Sequence, residues 1–199
     1  MRIIDVVQGT PEWLQAKCGI PSASNFDKIL TPSGDISKQR AKYLYGLICE
    51  KITKKPAEEY SNANMERGEA LEGEGRAFYE LLAGKKVTTT GFCVTEGKFI
   101  YGCSPDGLVG KDGLLEIKCP LGVTHVCYLL HGKLQQDYFV QTQGQLLVTG
   151  RKWVDLISYY PGMKPIVVRI KPHRQFQGKL LTELKIFCAE LDKLTRKIK

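Results

Sequence analysis

At 199 residues, with 43% hydrophobic and 25% charged side chains, the chain has the size and balance of one globular domain, which excludes fibrous, low-complexity and disordered classes. Its 29 Lys and Arg against 21 Asp and Glu leave a formal charge of +8, a bias toward polyanions and most simply nucleic acid. No apolar run approaches the length of a membrane span, and Met1-Arg2-Ile3-Ile4-Asp5 opens no signal peptide, so a soluble protein without a membrane partner is expected.

In chain order, Thr10-Pro11-Glu12-Trp13 predicts a capped helix start, with Thr10 as N-cap and Pro11 at the first helical position. Ser22-Ala23-Ser24 opens a second helix that ends near Leu30, before Thr31-Pro32-Ser33-Gly34. Residues 36–52 have helical spacing through Leu44, Leu47 and Ile48, and 63–82 repeat it through Leu71, Phe78 and Leu81 up to Gly84. The period then changes: 87–94, 99–103, 114–119, 154–160 and 165–170 are β-rich, while 135–148 between them reads as helix. A last helix over 175–198 carries the stripe Leu180, Leu184, Phe187, Leu191, Leu194 and Ile198, with Lys179, Lys185, Lys193 and Lys197 off it. The expectation is an α/β fold, a central mixed β-sheet flanked by helices, in a single domain 1–199: a helical segment over 1–60, a core over 61–170 and a C-terminal helix over 171–199. The seven cysteines, at 18, 49, 93, 103, 119, 127 and 188, include no C-x-x-C pair, which argues against a zinc ribbon or iron–sulfur clasp and for reduced thiols in a cytoplasm.

The chemistry concentrates in Ser104-Pro105-Asp106 and, beyond it, Glu116-Ile117-Lys118. Residues i and i+2 of a strand share a face, so Glu116 and Lys118 project together while Leu115, Ile117 and Cys119 project to the other side, giving one charged and one apolar face. Gly110-Lys111-Asp112-Gly113 reads as a hairpin turn, and folding it back brings Asp106 beside Glu116. Two converging carboxylates repel unless a cation lies between them, and hard oxygen ligands suit Mg2+ or Mn2+. A lysine in the same cluster fits a site that handles an anionic substrate or activates water. This is the D…(D/E)-x-K arrangement of metal-dependent nucleases. The same residues would also serve as a plain turn beside a solvated strand with a cross-strand ion pair, and spacing alone does not choose. A third acid is expected from the preceding helix, where Glu69 and Glu72 are i, i+3 neighbours and Glu72 lies next to Leu71.

With these residues in view the chain resembles the lambda-type exonucleases, or YqaJ-like viral recombinases, of the PD-(D/E)XK nuclease group. The resemblance spans about 8–170 and rests on five stretches in the family's order: Trp13 to Ser24, Gly68 to Glu72, Cys103 to Gly107, Leu115 to Pro120, and Gln141-Thr142-Gln143. It implies a restriction-endonuclease-like core with Asp106, Glu116, the Ile117 carbonyl and Glu72 as ligands of Mg2+, or Mn2+, in two ions. Lys118 would orient or deprotonate the attacking water, and Gln141 would hold the reacting strand or the lysine. The implied activity is 5′-to-3′ digestion of one strand of linear double-stranded DNA to mononucleotides, leaving a 3′ overhang. Lys17, Ser24 and Ser104 would take the terminal 5′-phosphate, with Ser24 near a helix N-terminus, and Met65 would wedge between the parting strands. The family usually has arginine at the position of Lys17, and where it has a second arginine after the E-x-K strand this chain has Thr124 and His125, the latter a candidate donor. Also implied are a homotrimeric ring around the duplex and a single-strand annealing protein as partner. Two rivals stay open: an endonuclease of the same fold in restriction or repair, and a non-catalytic DNA-binding protein.

Overall fold

The computed structural model describes residues 1–57 and 63–199, apart from the side chain of Met65. The chain runs through strand β1 (Arg2–Ile4), helix α1 (Pro11–Lys17), a 3-10 helix (Ala23–Lys28), α2 (Arg40–Thr53) and α3 (Ala63–Ala83). Strands β2 (Val87–Thr88), β3 (Phe92–Val94), β4 (Gly102–Cys103), β5 (Gly107–Val109) and β6 (Gly113–Lys118) follow. Then come α4 (Gly122–His131), α5 (Leu134–Asp137), α6 (Phe139–Thr149), β7 (Trp153–Ser158), β8 (Ile166–Ile170) and α7 (Arg174–Ile198). Among the described residues no helix is long and apolar enough to cross a membrane.

The expected mixed sheet flanked by helices is present as the order β2-β5-β6-β7-β8, in which β6 and β7 are parallel and the other pairs antiparallel. A smaller sheet, β1-β3-β4, stands beside it. The segment 87–94, anticipated as one strand, is thus divided between two sheets. The β5–β6 hairpin pairs Gly107 with Leu115 and Val109 with Gly113, and the left-handed residue of its turn is Gly110, at φ +56°, rather than the glycine after Asp112.

A parallel pair at the centre of a sheet is covered on both faces, so the face of β6 that carries Glu116 and Lys118 is packed and not the solvated strand of the alternative reading. On one side Leu114, Val154 and Leu156 pack with Leu134 and Leu146 from α5 and α6; on the other, Leu115, Ile117 and Ile157 pack with Tyr79 of α3. A third cluster joins α2, α7 and the 3-10 helix through Leu44, Phe26, Leu184 and Phe187. Gly144 lets α6 lie directly on the 3-10 helix, since a Cβ there would fall 2.5 Å from the Phe26 ring. Helix α6 is therefore locked from both sides, against the 3-10 helix and over β6, before any polar contact is counted.

The sequence did not foretell α4. Its inward residues include the fully buried His125, while Val123 (85% exposed), Val126, Leu129 and Leu130 face outward. That inverts the usual apolar-in pattern on which a helix assignment rests.

Candidate active site

Three elements converge at the end of the hairpin. Asp106 directly precedes β5, one step beyond the Gly107–Leu115 pair, and so stands across from Glu116. Its Oδ2 accepts the Ile117 amide N–H at 2.5 Å. Glu116 is only 2% exposed, and both of its oxygens are engaged: Gln141 Nε2 donates to Oε1 at 2.5 Å and Gln145 Nε2 to Oε2 at 2.6 Å. Lys118, on the same face of β6, places Nζ 2.6 Å from Glu116 Oε1 and 4.9 Å from the centre of the Tyr138 ring. Glu72 reaches the site from α3, and with Asp106 it lines a cleft of about 460 Å³ that Asp5, Gln8, Arg76 and Thr90 also border. Gln8 fixes the wall of this cleft, its Nε2 donating to the Thr90 and Pro105 carbonyls at 2.8 and 2.9 Å.

The charges are unbalanced. Burial pushes the Asp106 carboxyl well above the ordinary range, with Glu116 and Glu72 adding to the effect and Lys118 and the Ile117 N–H opposing it. Burial also raises Glu72, against the pull of Lys118 and with the help of Glu116 and Glu69. Burial alone would lower Lys118, but Glu116 and Asp106 outweigh it and hold the ammonium above its usual value. With those acids beside it Lys118 is a cation that donates hydrogen bonds, suited to orienting water or phosphate. Three carboxylates against one neighbouring ammonium leave an excess of negative charge, all of it on hard oxygen atoms, and this donor set fits a divalent cation of the Mg2+ class. As arranged, Lys118 spans part of that charge, and among the described residues no three His, Cys, Asp or Glu side chains are drawn closely enough together to hold an ion without adjustment.

Of the residues expected at the site, Asp106, Glu116, Ile117, Lys118 and Glu72 come together. Gln141 does too, with its Nε2 donating to Glu116. Gln145, one turn further along α6, makes the matching contact and was not anticipated; its place four residues after Gln141, on the same helix face, was the available signal.

Of the residues expected at the 5′-phosphate, Lys17 and Ser104 meet at Trp13. Lys17 Nζ lies 3.5 Å from the Trp13 ring centre, and Trp13 Nε1 donates to Ser104 Oγ at 2.8 Å. Ser24 is exposed and shares a 3.2 Å hydrogen bond with Ser22. It is the second residue of the six-residue 3-10 helix, whose N-cap is Ser22, and so stands at a helix start as expected. His125 offers nothing to an anion. It is fully buried, with Nδ1 2.8 Å from Ser158 Oγ and Nε2 3.0 Å from the Lys164 carbonyl. Met65 is in the first turn of α3, and its side chain lies outside the described residues.

The profile of the YqaJ-like viral recombinase domain matches residues 12–152. The chain belongs to this family. Among solved structures it is similar to an alkaline exonuclease (LHK-Exo) from Laribacter hongkongensis, with 34% identity over 95% of this chain and 96% of that one at a TM-score of 0.85. The same relative in complex with dAMP matches at 36% identity over 96% of both chains, with a TM-score of 0.86. A phage-related exonuclease from Haemophilus somnus 129PT, at 12% identity over 94% of this chain and 99% of that one, shares the fold with a TM-score of 0.69. Comparison with curated proteins gave no match. The family's core thus coincides with the elements that carry Glu72, Asp106, Glu116, Lys118 and Gln141.

Proposed function

We propose that the chain is a divalent-metal-dependent exonuclease that digests one strand of linear double-stranded DNA from its 5′ end to mononucleotides, leaving a 3′ overhang for annealing. The observation that carries this reading is the meeting of Asp106, Glu116 and Lys118 at the hairpin end, in a family member that aligns over nearly its whole length with an alkaline exonuclease. That relative was crystallised with dAMP, a deoxynucleoside monophosphate of the kind that stepwise hydrolysis releases.

Asp106, Glu116 and the Ile117 carbonyl, with Glu72 partly through water, would hold Mg2+ or Mn2+, in one or two ions. Such an ion supplies Lewis acidity and a more acidic bound water for in-line attack on phosphorus. The chain's own groups do the rest. Gln141 and Gln145 fix the Glu116 carboxylate in one orientation, so that its oxygens need no reorganisation during the reaction. Lys118 donates to the attacking water or to a phosphate oxygen. Lys17 and Ser104, both in contact with Trp13, together with Ser24 would receive the terminal 5′-phosphate. The net charge of +8 favours the duplex regardless of its sequence. A homotrimeric ring is the assembly proposed, supported by the exposed apolar residues Val123, Val126, Leu129 and Leu130 of α4, which invite burial against a second copy. A single-strand annealing protein is the proposed partner for the overhang.

Linear duplexes labelled at either end, and covalently closed circles, are the test substrates, each in magnesium and in EDTA. Release of the 5′ label first, as a mononucleotide and only with metal, is expected. Cleavage of the circles would favour an endonuclease, and DNA binding with no hydrolysis under any metal would favour a non-catalytic protein.

A further inference from the structure

One half-buried charged group at the cleft has no function in the chemistry proposed so far. Arg76 follows Glu72 by four residues on α3, so both face the cleft about 6 Å apart along the helix axis. A glutamate four residues before an arginine ordinarily closes into an ion pair. Here the guanidinium does not close on Glu72, and its Nε is buried without a hydrogen-bond partner. A buried cationic donor left unsatisfied is costly, and such a group calls for a ligand. Arg76 is also the only cation among the described residues lining the cleft, facing a wall that Gln8 pins to Thr90 and Pro105.

We propose that Arg76 binds the DNA backbone, gripping the phosphodiester that flanks the one being cut. The inference rests on the nuclease reading and deepens it. A planar guanidinium matches two phosphate oxygens in a fork, and a turn of the side chain toward a phosphate seated in the cleft would bring the orphan Nε–H out to it. With Asp106, Glu72 and Glu116 occupied by metal, the cleft changes from repelling an anion to admitting one, and Arg76 sets its register one step from the reacting phosphorus. Glutamine at this position removes the charge, while lysine keeps a point charge without the fork.

The test measures DNA binding by anisotropy in a Lys118→Met background with magnesium, comparing Arg76, Arg76→Gln and Arg76→Lys. The duplexes are unmodified or carry a single neutral methylphosphonate at the cut phosphate or at either neighbour. Arg76→Gln is expected to weaken binding about tenfold and to lower the salt dependence, log K against log salt, by about 0.9, the value of one phosphate contact. Arg76→Lys should recover part of both. One flanking methylphosphonate should erase the difference between Arg76 and Arg76→Gln. An unchanged salt slope, or an equal loss on every modified duplex including both neighbours, overturns the assignment. Digestion by the otherwise unaltered chain is run alongside. If that chain digests DNA while Arg76→Gln binds and digests as well as it does, only this inference fails; if it never digests DNA, the nuclease reading fails first.

Discussion

Replacing Asp106 with Asn should make the metal-free protein more stable while abolishing its activity. The two carboxylates face each other across the hairpin, where directly opposed Cβ atoms lie about 5 Å apart. At that separation, and an effective dielectric near 20, like charges repel by about 3 kcal/mol. Lys118, bonded to Glu116 at 2.6 Å, offsets part of this, so a net gain of about 1–2 kcal/mol is expected from the neutral side chain. Asn keeps the shape, still accepts the Ile117 amide, and turns an N–H toward Glu116. For a domain of this size the gain corresponds to a Tm higher by about 2–8 °C in EDTA.

The pH dependence follows from the raised Asp106 carboxyl. The folded chain holds that proton more tightly than the unfolded one, so the stability linked to this group is fully present below the ordinary carboxylate pKa and is lost as pH rises through the raised value. Metal-free wild type should therefore lose stability relative to Asp106→Asn over that window, and the two should converge in acid. Magnesium should reverse the order: at about 100 times its Kd it adds about 2.7 kcal/mol to the wild type and little to the variant. Scanning calorimetry of both proteins in EDTA and in magnesium measures all of this. A variant less stable than wild type in EDTA at neutral pH, or equal stabilisation of both by magnesium, would refute the reasoning.

Lys118→Met should lower kcat by about 10²–10³ in magnesium with duplex affinity nearly intact, as read by single-turnover digestion and anisotropy. Gln145→Leu leaves a buried Glu116 oxygen unbonded at a cost of about 1–3 kcal/mol, which thermal melts should register as a lower Tm, and it should slow hydrolysis as Glu116 loosens. Trp13→Phe keeps a ring beneath Lys17 but removes the donor to Ser104; a loss of about 1 kcal/mol should cut the preference for a 5′-phosphate over a 5′-hydroxyl end about fivefold, measured as kcat/KM on the two substrates.

The elements that periodicity encodes were legible. Thr10 caps α1 by accepting the Trp13 amide N–H, and the stripe of Leu180, Leu184, Phe187 and Leu191 is the buried face of α7. Alternation along β6 placed Glu116 and Lys118 together, and the turn brought Asp106 to them. Tertiary context decided the rest. Alternation cannot tell a solvated face from one covered by a crossover helix, so the burial of Glu116 under α6 was invisible until α6 was placed. The helix α4 was hidden because its buried side holds a histidine and its open side holds valines and leucines. Arg76 and Gln8 read as ordinary polar residues until the cleft brought them together.

Diffraction from crystals grown in manganese, collected at the manganese absorption edge, tests the central claim most directly. The account predicts an anomalous peak in contact with carboxylate oxygens of both Asp106 and Glu116, with Lys118 displaced from Glu116 yet still beside it. A peak elsewhere, or carboxylates that still clasp Lys118 with no metal between them at saturating manganese, would contradict it.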